Sequence, residues 1–166
     1  MASEWTVLEV VKIPKGSCNQ YEIDRETGNF RLNRVLYSTV HSPVEYGFVP
    51  DTMEQDGHPL DIMSLVAHPT FPGCIIECRV VGLLRMADEH GQNGKLLAVP
   101  VRDAHFSHVR ALKDLPRHQL DEIVRFFEMS RNIEDRSTAI HGWEEADYAK
   151  KILRESENRR KTAGLR

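Results

Sequence analysis

The chain has 166 residues, a net charge of −3, 40% apolar and 28% charged residues, the balance of an ordinary soluble globular protein with a real core. It lacks the basic footprint of a nucleic-acid binder and any apolar run near the roughly 20 residues that span a bilayer. Met1 to Trp5 has neither the charged nor the apolar region of a signal peptide, so a cytoplasmic protein is expected, with no membrane and no nucleic acid among its partners. Cys18, Cys74 and Cys78 are an odd number, which argues against a disulfide framework. Cys74 and Cys78 lack the further ligands that structural zinc requires, and are better read as buried thiols of a strand.

In chain order, Trp5 to Ile13 is rich in β-branched residues and stops at Pro14-Lys15-Gly16, the pattern of a strand. Tyr21 to Asp24 and Phe30 to Val35 flank a turn-forming loop, Arg25 to Asn29, and predict a hairpin. Ile62 to Val66 predicts a short strand. Ile75 to Met86 predicts a long one, which Lys95 to Val101 pairs with across the turn His90 to Gly94. Pro116 opens a helix whose apolar residues Leu120, Ile123, Val124 and Phe127 recur at helical spacing. A second helix is expected from Trp143 to Arg154, followed by a charged, frayed tail over 155–166. The expected fold is a single domain over 1–166, mainly β with α: a small closed barrel with long loops and two C-terminal helices.

Chemistry concentrates between the strands. In Asp56-Gly57-His58-Pro59-Leu60-Asp61, Gly57 and Pro59 shape a turn that lets two aspartates converge on one hard cation. Asp88, beside Glu89 before a glycine-rich turn, supplies a third oxygen ligand, and Mg²⁺ commonly shares such ligands with substrate phosphates. Glu22 completes the acidic set at strand ends and loops. The cations Lys12, Lys15, Arg34, Lys95 and Arg131 suit an anionic substrate; Arg34 in particular can hold phosphate with two bonds. His58 has three readings: a general base, a metal ligand that favours Mn²⁺, Fe²⁺ or Zn²⁺, or a bystander.

These markers run through most of the chain. They include Ile13-Pro14-Lys15-Gly16, Tyr21-Glu22-Ile23-Asp24, Asn33-Arg34-Val35-Leu36-Tyr37, Tyr46-Gly47-Phe48-Val49-Pro50 and the Asp56 to Asp61 loop. Gly82 to Glu89, Lys95 to Pro100, Phe126-Phe127 and Gly142-Trp143 follow. In this order they resemble the soluble, single-domain, Mg²⁺-dependent inorganic pyrophosphatases. The resemblance implies a five-stranded OB-type barrel with two helices, assembled as a homohexamer. It also implies that Glu22, Arg34, Tyr46, Asp56, Asp61, Asp88, Glu89 and Lys95 sit at active-site positions.

Other positions depart from the family pattern. Lys12 stands for a glutamate, Gln20 for a phosphate-binding lysine, and Ser42 for a tyrosine. His58 stands for the aspartate that helps generate the attacking hydroxide, and Asn93 for a metal-ligating aspartate. Ser130 and Arg131 stand for a tyrosine and a lysine that bind phosphate. The site is thereby about three charge units more positive than the pattern, and holds fewer carboxylates for metal. The expectation is a pyrophosphatase-like enzyme with a remodelled site. Its activity would be metal-assisted hydrolysis of a phosphorylated or diphosphate small molecule, with weak or no pyrophosphate hydrolysis. The assigned roles are catalytic for His58, Asp56 and Tyr46; substrate-binding for Glu22, Arg34, Lys95, Arg131 and Lys12; and metal-binding for Asp56, Asp61 and Asp88. Mg²⁺ is the expected ion, with Mn²⁺ or Zn²⁺ as alternatives because of His58. The alternatives are a genuine pyrophosphatase with altered metal preference, a non-hydrolytic enzyme of specialised metabolism, and a non-catalytic binding protein.

Overall fold

A ring of five strands carries the cavity described below. The computed structural model describes residues 5–36, 40–89, 91–134 and 138–164, with the backbone alone for 131–134. In chain order the strands are β1 (Thr6–Ile13), β2 (Asn19–Ile23), β3 (Phe30–Val35), β4 (Glu45–Phe48), β5 (Asp61–Ser64), β6 (Ile75–Asp88), β7 (Gly91–Gln92), β8 (Lys95–Pro100) and β9 (Thr138–Glu145). The helices are α1 (Arg117–Glu134) and α2 (Ala146–Thr162). Neighbouring strands run β1-β4-β5-β8-β6, and β6 returns to pair with β1. That closure removes the sheet edge and gives the expected five-stranded barrel. β2 and β3 form a separate hairpin, and β9 extends the outer end of β6.

β8, and β6 from Cys78 to Leu84, have no solvent face. Along β5, β6 and β8, successive residues alternate between two buried clusters. Ile62, Leu83 and Leu96 pack with Ala149 and Leu153 of α2, while Met63, Leu84 and Leu97 pack with Ile123 of α1. Strands buried on both faces are apolar runs without alternation, which is why Lys95 to Val101 carries no period of two. The 14-residue β6 bends by slipping register at Gly82 and again between Arg85 and Met86, and such bulges let one strand serve several partners around a barrel. At Gly47 a side chain is impossible, since a Cβ would run into the Val10 carbonyl of β1. The close approach of β1 and β4 places Tyr46 beside the cavity.

Two boundaries differ from expectation. Trp143 belongs to β9, paired with Leu84, and α2 begins only at Ala146. The ladder along the long β6 outweighs the helical spacing of Trp143, Ala146, Ala149 and Leu153. Residues 155–162 of the charged tail are not frayed but helical, because α2 continues to Thr162, with Ser156 fully buried beneath the loop that precedes β5. Among the described residues no helix is long and apolar enough to cross a membrane.

Candidate active site

One open cavity of about 750 Å³ collects residues from several segments of the chain. β1 contributes Lys12; the β2–β3 hairpin Gln20 and Arg34; β4 Tyr46; the following loop Glu54, Asp56 and His58. Asp61 opens β5, Asp88 and Asn93 flank the turn after β6, Lys95 opens β8, and α1 contributes Phe127 and Ser130. Of the sequence-predicted site residues, Lys12, Arg34, Tyr46, Asp56, His58, Asp61, Asp88 and Lys95 therefore share one wall. Glu22 does not line it, being exposed on β2 opposite Arg31. The Arg131 side chain lies outside the described residues.

The best-fixed part is a triad centred on the buried Lys95. Lys95 Nζ lies 2.7 Å from Asp61 Oδ2, and the Tyr46 hydroxyl donates to the same oxygen at 2.7 Å. β5 and β8 run parallel with Asp61 opposite Lys95, so the pairing is written into the barrel register. Lys95 Nζ also sits 5.4 Å from the ring centres of both Tyr46 and Phe127, an arrangement in which the ring faces attract the cation. Burial by itself would push the Asp61 carboxyl up, but Lys95 and the Tyr46 hydroxyl outweigh it and hold the group below the ordinary carboxylate range. Burial would likewise favour neutral Lys95, yet the Asp61 charge wins and its pKa rises. Burial, with Asp61 beside it, raises the Tyr46 hydroxyl. Asp61 and Lys95 are thus ionised at neutral pH, and Tyr46 is a donor rather than a base.

The loop before β5 is self-bonded. The Thr52 hydroxyl donates to the Val49 carbonyl and accepts from Leu60 N. Glu54 N donates to the His58 carbonyl at 2.7 Å, and Gly57 N to the Glu54 carbonyl at 3.0 Å. Gly57 takes φ +85°, a conformation open to glycine at little cost. His58 N donates to Asp56 Oδ1 at 3.0 Å, and His58 Nδ1 lies 3.6 Å from that oxygen. His58 stands at the mouth of the cavity with its side chain 81% exposed. On the far side Asn93 donates to Asp88 Oδ2 at 3.4 Å, and on the hairpin Arg34 Nε donates to Gln20 Oε1 at 2.8 Å.

Glu54 escaped the sequence reading. It lines the cavity, burial raises its carboxyl, and the Ser156 hydroxyl and Arg159 partly offset that rise. Its importance depends on residues about a hundred positions away, which no local pattern displays.

Among the described residues no three Asp, Glu, His or Cys side chains already converge to hold an ion. The donor set still fits a hard cation. Asp56, Asp61 and Asp88 face one cavity, and Mg²⁺ typically takes one or two carboxylates, keeps waters and completes its shell with substrate phosphate. The three cysteines are free thiols, Cys78 buried at the centre of the barrel and Cys74 half-buried before β6.

A sequence profile described as inorganic pyrophosphatase matches residues 9–161. The chain belongs to the inorganic pyrophosphatase family. The inorganic pyrophosphatase of Geobacillus stearothermophilus is 46% identical over 93% of this chain and 94% of its own length. That of Nostoc sp. is 45% identical over 89% and 87%. Among solved structures, the inorganic pyrophosphatase from Thermus thermophilus superposes with a TM-score of 0.89 at 36% identity, covering 96% of this chain and 93% of its own.

Within the inorganic pyrophosphatase family this chain does not stand apart by overall similarity. Relatives at 45 to 46% identity are called plainly inorganic pyrophosphatases. Lys12, Gln20, His58, Asn93 and Ser130 do line the cavity. The expectation that they redirect the enzyme to another substrate nevertheless finds no support in these relatives, and the genuine pyrophosphatase fits better.

Proposed function

We propose that the chain is an inorganic pyrophosphatase, hydrolysing diphosphate to two orthophosphates. The observation that carries this reading is the Asp61–Lys95–Tyr46 triad, set in one cavity with Asp56 and Asp88 in a chain of this family. In the reaction one bridging P–O bond breaks, a water oxygen bonds to phosphorus, and the water's protons pass to the products and to a base. A divalent cation, Mg²⁺ in the first instance, would neutralise phosphate charge and make water more acidic when bound.

The chain's own residues divide the remaining work. Lys95, Arg34 and Lys12 line the cavity as fixed cations and grip the phosphate oxygens. Arg34 is oriented by its bond to Gln20, and a planar guanidinium suits two-pronged contact with phosphate oxygens. Tyr46 and Lys95 both engage Asp61 Oδ2, which keeps Asp61 ionised and leaves Oδ1 as the oxygen to hold the cation. Asp56 and Asp88 are the other cation-holding carboxylates. His58, at the mouth and next to Asp56, takes the proton of the attacking water as its general base. Exposed Leu8, Phe71 and Ile75 support a homo-oligomer, and free thiols fit a cytoplasmic setting.

The test is phosphate release from pyrophosphate by purified protein with Mg²⁺, Mn²⁺ and Zn²⁺ in parallel. Rapid release with Mg²⁺ is expected. Preferred turnover with Mn²⁺ or Zn²⁺ would assign His58 to the metal instead of the proton. No release from folded protein with any of the three would sink the proposal. It would favour the second reading, hydrolysis of an organic diphosphate or phosphate, which the non-acidic Lys12, His58 and Asn93 in the cavity wall support.

A further inference from the structure

We propose that α2 positions the Asp56–His58 loop through Arg159 and Ser156, making these two C-terminal residues positioning residues of the site; the inference rests on reading the large cavity as that site. Both polar backbone groups of Met53 are bound by α2. Met53 N donates to the Ser156 carbonyl at 3.1 Å. The Met53 carbonyl accepts from Ser156 Oγ at 3.0 Å and from Arg159 Nη1 at 2.8 Å. The same Arg159 Nη1 lies 3.5 Å from Glu54 Oε1. Two residues one turn apart on α2 thus join the helix to Met53 and Glu54, just before Asp56.

The burial pattern says why this link matters. Ser156 is fully buried, and a hydroxyl inside a helix–barrel junction is costly unless it is hydrogen-bonded. Here its partner is the loop. The loop tip itself, residues 55–59, is exposed, and Gly57 and His58 are held by bonds within the loop. Met53 is therefore where the tip is anchored to another element. Glu54 stands in the wall between the large cavity and a smaller one of about 190 Å³ that Arg159 also lines. Arg159 Nη1 carries two N–H groups and so can bond the carbonyl while facing the carboxylate. A displacement on the order of 1 Å in residues that position reacting groups is enough to cost a large part of the rate.

The experiment compares Arg159→Ala, Arg159→Lys and, as a control on the exposed face of α2, Lys161→Ala. Mn²⁺ binding is titrated without substrate, hydrogen exchange is followed at the loop amides, and phosphate release and thermal unfolding are measured alongside. For Arg159→Ala we expect Mn²⁺ affinity to fall about 10-fold, exchange protection at the Glu54 and Gly57 amides to drop, and kcat to fall more than KM rises. Arg159→Lys should recover part of each effect, and Lys161→Ala should match the parent. A variant that unfolds earlier on heating yet keeps parental Mn²⁺ affinity and loop protection would overturn the proposal. Should Arg159→Ala fail to fold, Ser156→Ala takes its place with the same expectations. A parent that binds Mn²⁺ but releases no phosphate would sink the pyrophosphatase reading alone. A parent that binds no Mn²⁺ would leave the exchange data to decide, lost protection supporting the clamp and unchanged protection refuting it.

Discussion

Lys95 is 7% exposed and its partner Asp61 24%, so their ion pair is largely desolvated and breaking it is costly. Lys95→Met should leave Asp61 without its main counter-charge. We expect a loss of about 3 kcal/mol in urea unfolding and a fall in kcat of about 100-fold or more. The pH sign follows from the lowered Asp61 carboxyl. The stabilisation is present above the ordinary carboxylate range and is lost as pH falls through the lower folded value. In the Met variant burial dominates the Asp61 carboxyl, so this acid-side loss should shrink or disappear.

Glu9 behaves the opposite way. It is fully buried within β1, with Cys78 Sγ 3.6 Å from Oε2, and burial pushes its carboxyl from an ordinary 4.5 up to about 8. Between those values the unfolded chain releases the proton while the folded chain keeps it. Stability must therefore fall as pH rises across that window, by up to about 1.4 kcal/mol per pH unit, and level off above it. Glu9→Gln should flatten this slope, as read by urea unfolding from pH 5 to 9; an unchanged slope would mean that Glu9 is ionised in the fold. At this scale the sequence displayed the chemically active types well. Asp56, Asp61, Asp88 and Lys95 were legible from motif and spacing. Glu9 was not, because a lone acid in a strand pattern looks like a solvated face until closure of the barrel turns it inward.

The elements were legible where the period was pure. The α1 stripe of Leu120, Ile123, Val124 and Phe127 does face the second cluster, and the β2–β3 hairpin forms around its predicted loop. The short β4 and the late β9 were missed. β4 has only four residues, too few to show a period, and β9 is defined by its pairing with β6 rather than by its own residues. Gly47 in β4 gives an element-scale prediction. Gly47→Ala must push β4 away from the Val10 carbonyl, and because the obstacle is backbone, no side chain can rotate to relieve it. We expect a loss of about 2–3 kcal/mol, with weakened phosphate release because Tyr46 moves with the strand. Wild-type thermal stability in this variant would show that the two strands can separate freely.

The whole molecule joins these pieces. On the outer face of the β1–β6 pair, Leu8 is 50% exposed and Ile75 64%, and Phe71, at the adjoining turn, is 64% exposed. Apolar side chains of this size grouped on one face suit burial between copies. Sedimentation of the parent should show an oligomer, and Phe71→Glu with Ile75→Glu should shift it toward monomer while leaving the secondary structure intact. A monomeric parent would refute that assignment. The sequence by itself determined the barrel with two helices, the family and most of the charged residues that line the large cavity, because those depend on local spacing and on ordered motifs. Only the tertiary structure decided that Glu54 lines the site while Glu22 does not, that Glu9 is buried, and that α2 reaches Thr162 and holds Met53. Each of those facts depends on contacts between residues distant in the chain, where strand closure and helix docking set distances that no local pattern encodes.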